Sequence, residues 1–296
     1  CSLGRAQDPV PDDGASVVSC IVSLVNTITG SGMLALPAAL SSCGVVLGLF
    51  FLLLFAMASA LSLHLLSRMA KATGLPSGFK KVALLTVPRL AILADLAVLF
   101  NAFGVAVSYL IIIGDQMPQV ARDVGFTGTW LLRWPWLLIA FCVVSPLSCL
   151  RTLDALRWTS ASAVAFVLCL VVVVVGGAVH WGGGGNVEDR GAAEGGLDVF
   201  RGLSVFVFAY SCQQNAFKTT NELARPTQER LDLVAIWSCG IAAMLYVTTA
   251  VAGWATFDDP PPDVLQGYPR NSFFSVIRTL VVLNFAFSYP CHFHPS

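Results

Sequence analysis

Hydrophobic positions along this chain gather into long, nearly continuous runs, separated by short charged or Gly/Pro-rich stretches. A helix that crosses the hydrocarbon core of a bilayer needs about 20 mostly apolar residues, since each advances about 1.5 Å. Runs of this kind occupy residues 17–40, 45–66, 90–113, 134–150, 159–180, 202–223, 233–256 and 273–292. They predict eight membrane-spanning helices, the fourth being short and carrying Pro146. Residues 1–15 read as a tail and residues 16–296 as one transmembrane domain.

The intervening stretches have the composition of connections. His180 to Leu197 (HWGGGGNVEDRGAAEGGL) is Gly-rich and acidic and reads as a flexible outer loop. Asp258 to Asp263 (DDPPPD) reads as a Pro-stiffened loop. Neither folds a second domain. Residues 67–88, where Lys71, Lys80 and Lys81 stand among apolar residues, fit either a short interfacial helix or a plain loop. The chain begins at Cys1 and ends just after a hydrophobic run, so it reads as a fragment. The first run follows an acidic stretch (Asp8, Asp12, Asp13) and leads at once into a second run, which fits a span and not a cleaved signal peptide.

Composition agrees with lipid as the solvent: 56% of residues are hydrophobic and 11% charged, against roughly 25% charged in soluble domains. Seventeen basic residues balance 17 acidic ones, so no net charge favours nucleic acid. The distribution is informative. With the N-terminus inside, inner segments hold Arg5, Arg68, Lys71, Lys80, Lys81, Arg89, Arg151, Arg157, Lys218, Arg225 and Arg230. Outer segments hold fewer bases (Arg122, Arg133, Arg190, Arg201, Arg270, Arg278) and acids such as Glu188, Asp189, Asp258, Asp259 and Asp263. The positive-inside rule then predicts a cytoplasmic N-terminus. Nine cysteines occur without a CxxC pair or a Cys/His cluster at ligand spacing. Those within runs (Cys20, Cys142, Cys149, Cys169, Cys239) read as small buried hydrophobes, and no metal or organic cofactor is expected.

Two runs are interrupted. The first contains Asn26-Thr27-Ile28-Thr29-Gly30-Ser31-Gly32, followed by Leu36-Pro37, and is expected to break at Gly30 to Gly32. Close packing through small residues is the alternative. The sixth passes from Phe206-Val207-Phe208-Ala209-Tyr210 into Ser211-Cys212-Gln213-Gln214-Asn215. Three consecutive amides at membrane depth are costly unless they face a cavity or one another. Two interrupted helices separated by four intact ones match the inverted-repeat logic of transporters whose discontinuous helices build a site near the midplane. The candidate substrate-binding residues are Thr29, Gly30, Ser31, Gly32, Tyr210, Ser211, Gln213, Gln214 and Asn215. Half-helix N-termini beyond each break would offer N–H groups to a carboxylate, and the Asn26 amide oxygen could hold a cation. Asp95, near the start of the third span, is the proton-coupling candidate; a place at headgroup level beside Arg89 is its other reading. His64 reads as interfacial.

At these residues the sequence resembles the amino acid/auxin permease family, in particular its sodium-coupled neutral amino acid transporters and vacuolar amino acid transporters. The resemblance rests on Asn26, Gly30-Ser31-Gly32 with Leu36-Pro37, Gly104 to Tyr109 through Gly114-Asp115, and Leu147 to Arg151. It continues in Tyr210 to Asn215, Asn221-Glu222-Leu223, and Tyr289-Pro290 with His294-Pro295, and covers residue 15 to the end. It implies an all-α polytopic protein of the LeuT-like inverted-repeat fold with eleven spans, about eight of them present here. It also implies a Na⁺ site using Asn26 and a hydroxyl of the eighth span, for which Ser288 is the nearest residue. Vacuolar relatives are proton-coupled, and the Tyr-Pro and His-Pro ending resembles them more.

The function expected is secondary active transport of a neutral or small polar amino acid, driven by an H⁺ or Na⁺ gradient. The vacuolar, lysosomal or plasma membrane would house it, with lipid and the amino acid as its partners. An amino-acid sensor without net transport needs the same pocket and is the alternative. A membrane enzyme should show clustered His, Asp or Glu within the spans, and that pattern is missing.

Overall fold

The computed structural model describes residues 14–149, 156–181 and 196–293. The tail through residue 13, residues 182–195 of the Gly-rich loop, Arg151, His294 and Pro295 lie outside the described residues.

Every predicted run coincides with helix. The first becomes α1 (Val17–Ile28) and α2 (Gly32–Cys43), bent by 56° at the intervening residues. α3 (Val45–Thr73) follows, then a short α4 (Phe79–Thr86) and α5 (Ala91–Asp123). α6 (Arg133–Cys149) and α7 (Leu156–Trp181) carry the fourth and fifth runs. The sixth divides into α8 (Gly196–Ala209) and α9 (Ala216–Glu222), and α10 (Gln228–Thr256) and α11 (Ser272–Phe293) complete the order. Among the described residues, α3, Pro88–Asp123, Val164–Trp181 and α10 are each long and apolar enough to cross a bilayer, and the bent pair α1–α2 meets that test together.

Residues 67–88 hold elements of both kinds: α3 continues to Thr73, and only Phe79–Thr86 forms a separate short helix. Lys81 steadies the turn between them, donating to the carbonyls of Gly74 (2.6 Å) and Pro76 (2.8 Å). α5 runs well past the predicted edge at 113, so Asp115 and Asp123 sit on helix. Ser16 and Thr227 cap α1 and α10 by accepting from the N–H groups of Ser19 and Arg230. Ala15 pairs with Leu223 as an isolated parallel bridge, tying the start of α1 to the end of α9.

α10 lies at the centre, packed on α1, α2, α3 and α7. Small residues let α2 approach its neighbours closely. A Cβ on Gly32 would stand 2.9 Å from Ala209 Cα, one on Gly202 2.4 Å from Cys43 Sγ, and one on Gly253 2.4 Å from Pro37 Cγ. The close-packing alternative for Gly32 and the helix break thus hold together. Outward faces carry large apolar side chains, among them Phe50, Met57, Phe100, Phe103 and Met244, as a lipid-facing surface requires. Cys20 and Cys239 are buried as expected, whereas Cys142 and Cys169 stand exposed among the described residues.

Candidate functional site

The two interruptions meet. α1 ends where Thr29, with ψ at 49°, leaves the helical region and its N–H and hydroxyl both turn back to Val25 O, each at 2.8 Å. The chain resumes at α2 in a tightened turn, Met33 N–H to Gly30 O and Leu34 N–H to Ser31 O, both 3.3 Å. Gly32 rests directly on Ala209, the last residue of α8. A single hydroxyl spans both helix ends: Tyr246 of α10, fully buried, lies within hydrogen-bond reach of Ile28 O and of Ala209 O, the latter at 2.9 Å. These carbonyls are among those a broken helix leaves without an intrahelical donor.

The amides of the second interruption face partners on other helices. Asn215 Nδ2 donates to Thr27 Oγ1 (3.0 Å) on α1. Asn101, on α5, donates to Gln214 Oε1 (2.7 Å) and accepts from Ser211 Oγ (3.1 Å). Ser59 of α3 donates to Tyr210 O (3.3 Å) and accepts from Gln213 Nε2 (3.4 Å). Tyr210 and Tyr246 rings meet edge to face at 5.1 Å. One expectation is corrected here. The N–H groups of Asn215 and Ala216 are taken by Cys212 O and Gln213 O in a 3-10 turn, so at those two residues the second break offers no free donors.

A cavity of about 320 Å³ opens beside the first break, near the lower end of the range for small-molecule sites. α2 lines it with Ser31, Gly32, Leu34 and Ala35, and α5 with Ser108, Ile111, Ile112 and Asp115. Ser204, Val205 and Phe208 of α8 and Pro262, Asp263 and Gln266 of the α10–α11 connection complete it. Of the predicted substrate residues, only Ser31 and Gly32 reach this cavity. Thr29, Gly30 and Tyr210 do not line it, and Ser211, Gln213, Gln214 and Asn215 belong instead to the hydrogen-bonded polar cluster of the second break.

Two carboxylates border the cavity. Asp115 pairs with Arg133 at 2.7 Å. Asp263, 6% exposed, accepts from the Gln116 amide and, at 3.0 Å, from the N–H of Leu265. Burial pushes the Asp263 carboxyl up to about 6, although the two donors and nearby Arg278 pull it down. The charge pattern predicts Arg278 in an outer segment, but it lies within α11, fully buried, donating to Leu265 O (3.1 Å) and Tyr268 O (3.0 Å). It anchors the connection that carries Asp263.

The remaining candidates lie apart. Asn26 is half-buried on the last turn of α1 and Ser288 is buried on α11, with no hydrogen bond bridging them among the described residues. Asp95 is exposed at the start of α5 and does not line the cavity. His64 Nδ1 meets Asp232 at 2.6 Å, half-buried between α3 and α10, so it joins two helices. Sequence reasoning missed Asn101, Ser59, Gln116 and Tyr246. Asn101 carried a legible signal, an amide inside an apolar run; a Tyr or Ser in a span carries none.

The family model described as transmembrane amino acid transporter protein matches residues 13–296. The chain is 34% identical to vacuolar amino acid transporter 5 of Schizosaccharomyces pombe over 95% of its own length and 68% of that protein's. It is 31% identical to vacuolar amino acid transporter 6 of Saccharomyces cerevisiae (95% and 65%), and 25% identical to sodium-coupled neutral amino acid transporter 7 of Rattus norvegicus (97% and 65%). The chain thus spans about two thirds of the length of these curated relatives. They are transporters and not enzymes, in agreement with the resemblance read from the motifs. This multi-pass, helical membrane chain belongs to the transmembrane amino acid transporter family.

Proposed function

We propose that the protein of which this chain is part is a secondary active transporter. It would move neutral or small polar amino acids by alternating access on a LeuT-like scaffold, coupled to H⁺ or Na⁺. The observation that carries this reading is the meeting of two interrupted helices, Gly32 against Ala209 with Tyr246 reaching both ends, beside a cavity large enough for one small solute. In such a junction the paired half-helices can tilt without unwinding a complete span. Ser31 and Gly32, whose N–H groups have no backbone acceptor among the described residues, offer donors to a substrate carboxylate, and Asp115 offers a counter-charge to its ammonium. The names of the yeast relatives favour an organellar membrane.

Uptake of radiolabelled amino acids into proteoliposomes, with Na⁺ and pH gradients imposed separately, tests the reading. Accumulation driven by a pH gradient alone is expected for the vacuolar type. Accumulation driven by Na⁺ alone would bring forward Asn26 and Ser288 as ligands. Absence of flux under either gradient, across a broad amino acid panel, would leave a sensor in its place.

A further inference from the structure

The connection between α10 and α11 does more than close a loop. Its Pro262, Asp263 and Gln266 form one wall of the cavity. Asp263 reaches inward to a buried partner on another helix, Gln116 of α5, itself 0% exposed, while Gln266 hydrogen-bonds to Asp115 of the same helix. Gln116 Oε1 is buried and finds no donor among the described residues. An ionised carboxylate only accepts, so it leaves that oxygen orphaned; a protonated carboxyl adds the one donor the acid–amide pair lacks. A buried acid at the cavity wall and an unpartnered acceptor on the amide it contacts both favour the protonated carboxyl.

We propose that Asp263 and Gln116 form a proton-dependent latch: Asp263 takes up a proton when the α10–α11 connection closes over the cavity and releases it when the connection lifts. The inference deepens the transport reading and rests on it for its role in coupling. Under the predicted cytoplasmic N-terminus this connection lies on the non-cytoplasmic side, so closing would carry a proton into the occluded state together with the substrate.

Other charges set the latch's strength. On α5, Asp115 faces Asp263 and opposes its ionisation, while Arg133 of α6 partly neutralises Asp115. Arg278 of α11 favours the carboxylate and is itself 3.6 Å from Asp123 of α5. Arg270, on the connection, acts on Arg278. The Asp198–Arg201 pair of α8 sits at the exposed start of that helix. The sign follows from burial. The closed state holds the proton with a pKa of about 6, against 3.8 for a solvated Asp. Closure is thus fully favoured below about 3.8, and the advantage is lost as pH rises to about 6.

The test is the accessibility of a cysteine inside the cavity, Ser204→Cys, to a water-soluble thiol reagent in the full-length protein. The labelling rate is divided by that of a small free thiol in the same buffer, which cancels thiol ionisation. The parent should label about tenfold faster at pH 7.5 than at pH 5. Asp263→Asn, held in the neutral form, should label slowly at both, and Asp263→Glu should restore the pH dependence. A flat parent overturns the latch whether or not any variant folds, as does a parent-like profile in Asp263→Asn. A profile abolished by Asp115→Asn in place of Asp263→Asn overturns it too. Amino acid uptake is measured separately. Flux with flat labelling sinks the latch alone, whereas pH-dependent labelling without flux sinks the transport reading and leaves the latch standing.

Discussion

At the scale of single residues, the junction depends on a few groups with no room to change. Gly32→Leu would drive a side chain into the Ala209 backbone, 2.9 Å from the position of the first added carbon. Transport should be abolished while membrane insertion, measured by glycosylation mapping, stays intact. Asn215→Ala removes the bond to Thr27 and should lower uptake strongly, also without loss of insertion. If both variants carry substrate like the parent, the junction is not the site. Tyr246→Phe deprives the carbonyls of Ile28 and Ala209 of their shared donor. A loss of about 1–2 kcal/mol is expected, read as a lower unfolding midpoint in detergent.

At the scale of elements, α10 is the post against which the two broken helices stand, and its small residues are not equivalent. Gly253 receives the Pro37 ring, so Gly253→Leu should push α2 away and cost about 1–3 kcal/mol. Gly240 has open space around its missing Cβ, and Gly240→Ala should be neutral or slightly stabilising because alanine is the better helix former. Comparing the two unfolding midpoints checks the contrast. Equal effects would mean that α2 does not seat on α10 as described. The interruptions were legible at this scale because Gly30-Ser31-Gly32 and three adjacent amides are local departures from an apolar run. That the second break uses its own N–H groups in a 3-10 turn was not legible, since turn geometry depends on how the flanking half-helices are held apart.

At the scale of the whole molecule, orientation and coupling are the open properties. The charge pattern predicts that Lys80, on α4, and Arg270, beside α11, lie on opposite sides of the membrane. Both are exposed. In sealed right-side-out vesicles, Arg270→Cys should react with an impermeant thiol reagent and Lys80→Cys only after permeabilisation. The reverse pattern would invert the topology and place the latch on the cytoplasmic side.

The sequence by itself determined what depends on neighbours along the chain: which segments are apolar helices suited to lipid, though not their exact ends, and which two are interrupted. The family resemblance followed from motifs that are themselves local. Only the tertiary structure decided which distant polar groups meet. Asp263 read as one acid in a Pro-stiffened loop, yet the connection folds inward and buries it against Gln116. Arg278 read as an outer charge, yet it is the buried anchor of that connection. Asp95 stands out as an acid near a span, yet it is exposed and does not line the cavity that Asp115 borders. The physical reason is common to all three. Hydropathy records the solvent a segment prefers on average, whereas the environment of one side chain is set by the rotation and offset of helices brought together from far apart in the chain.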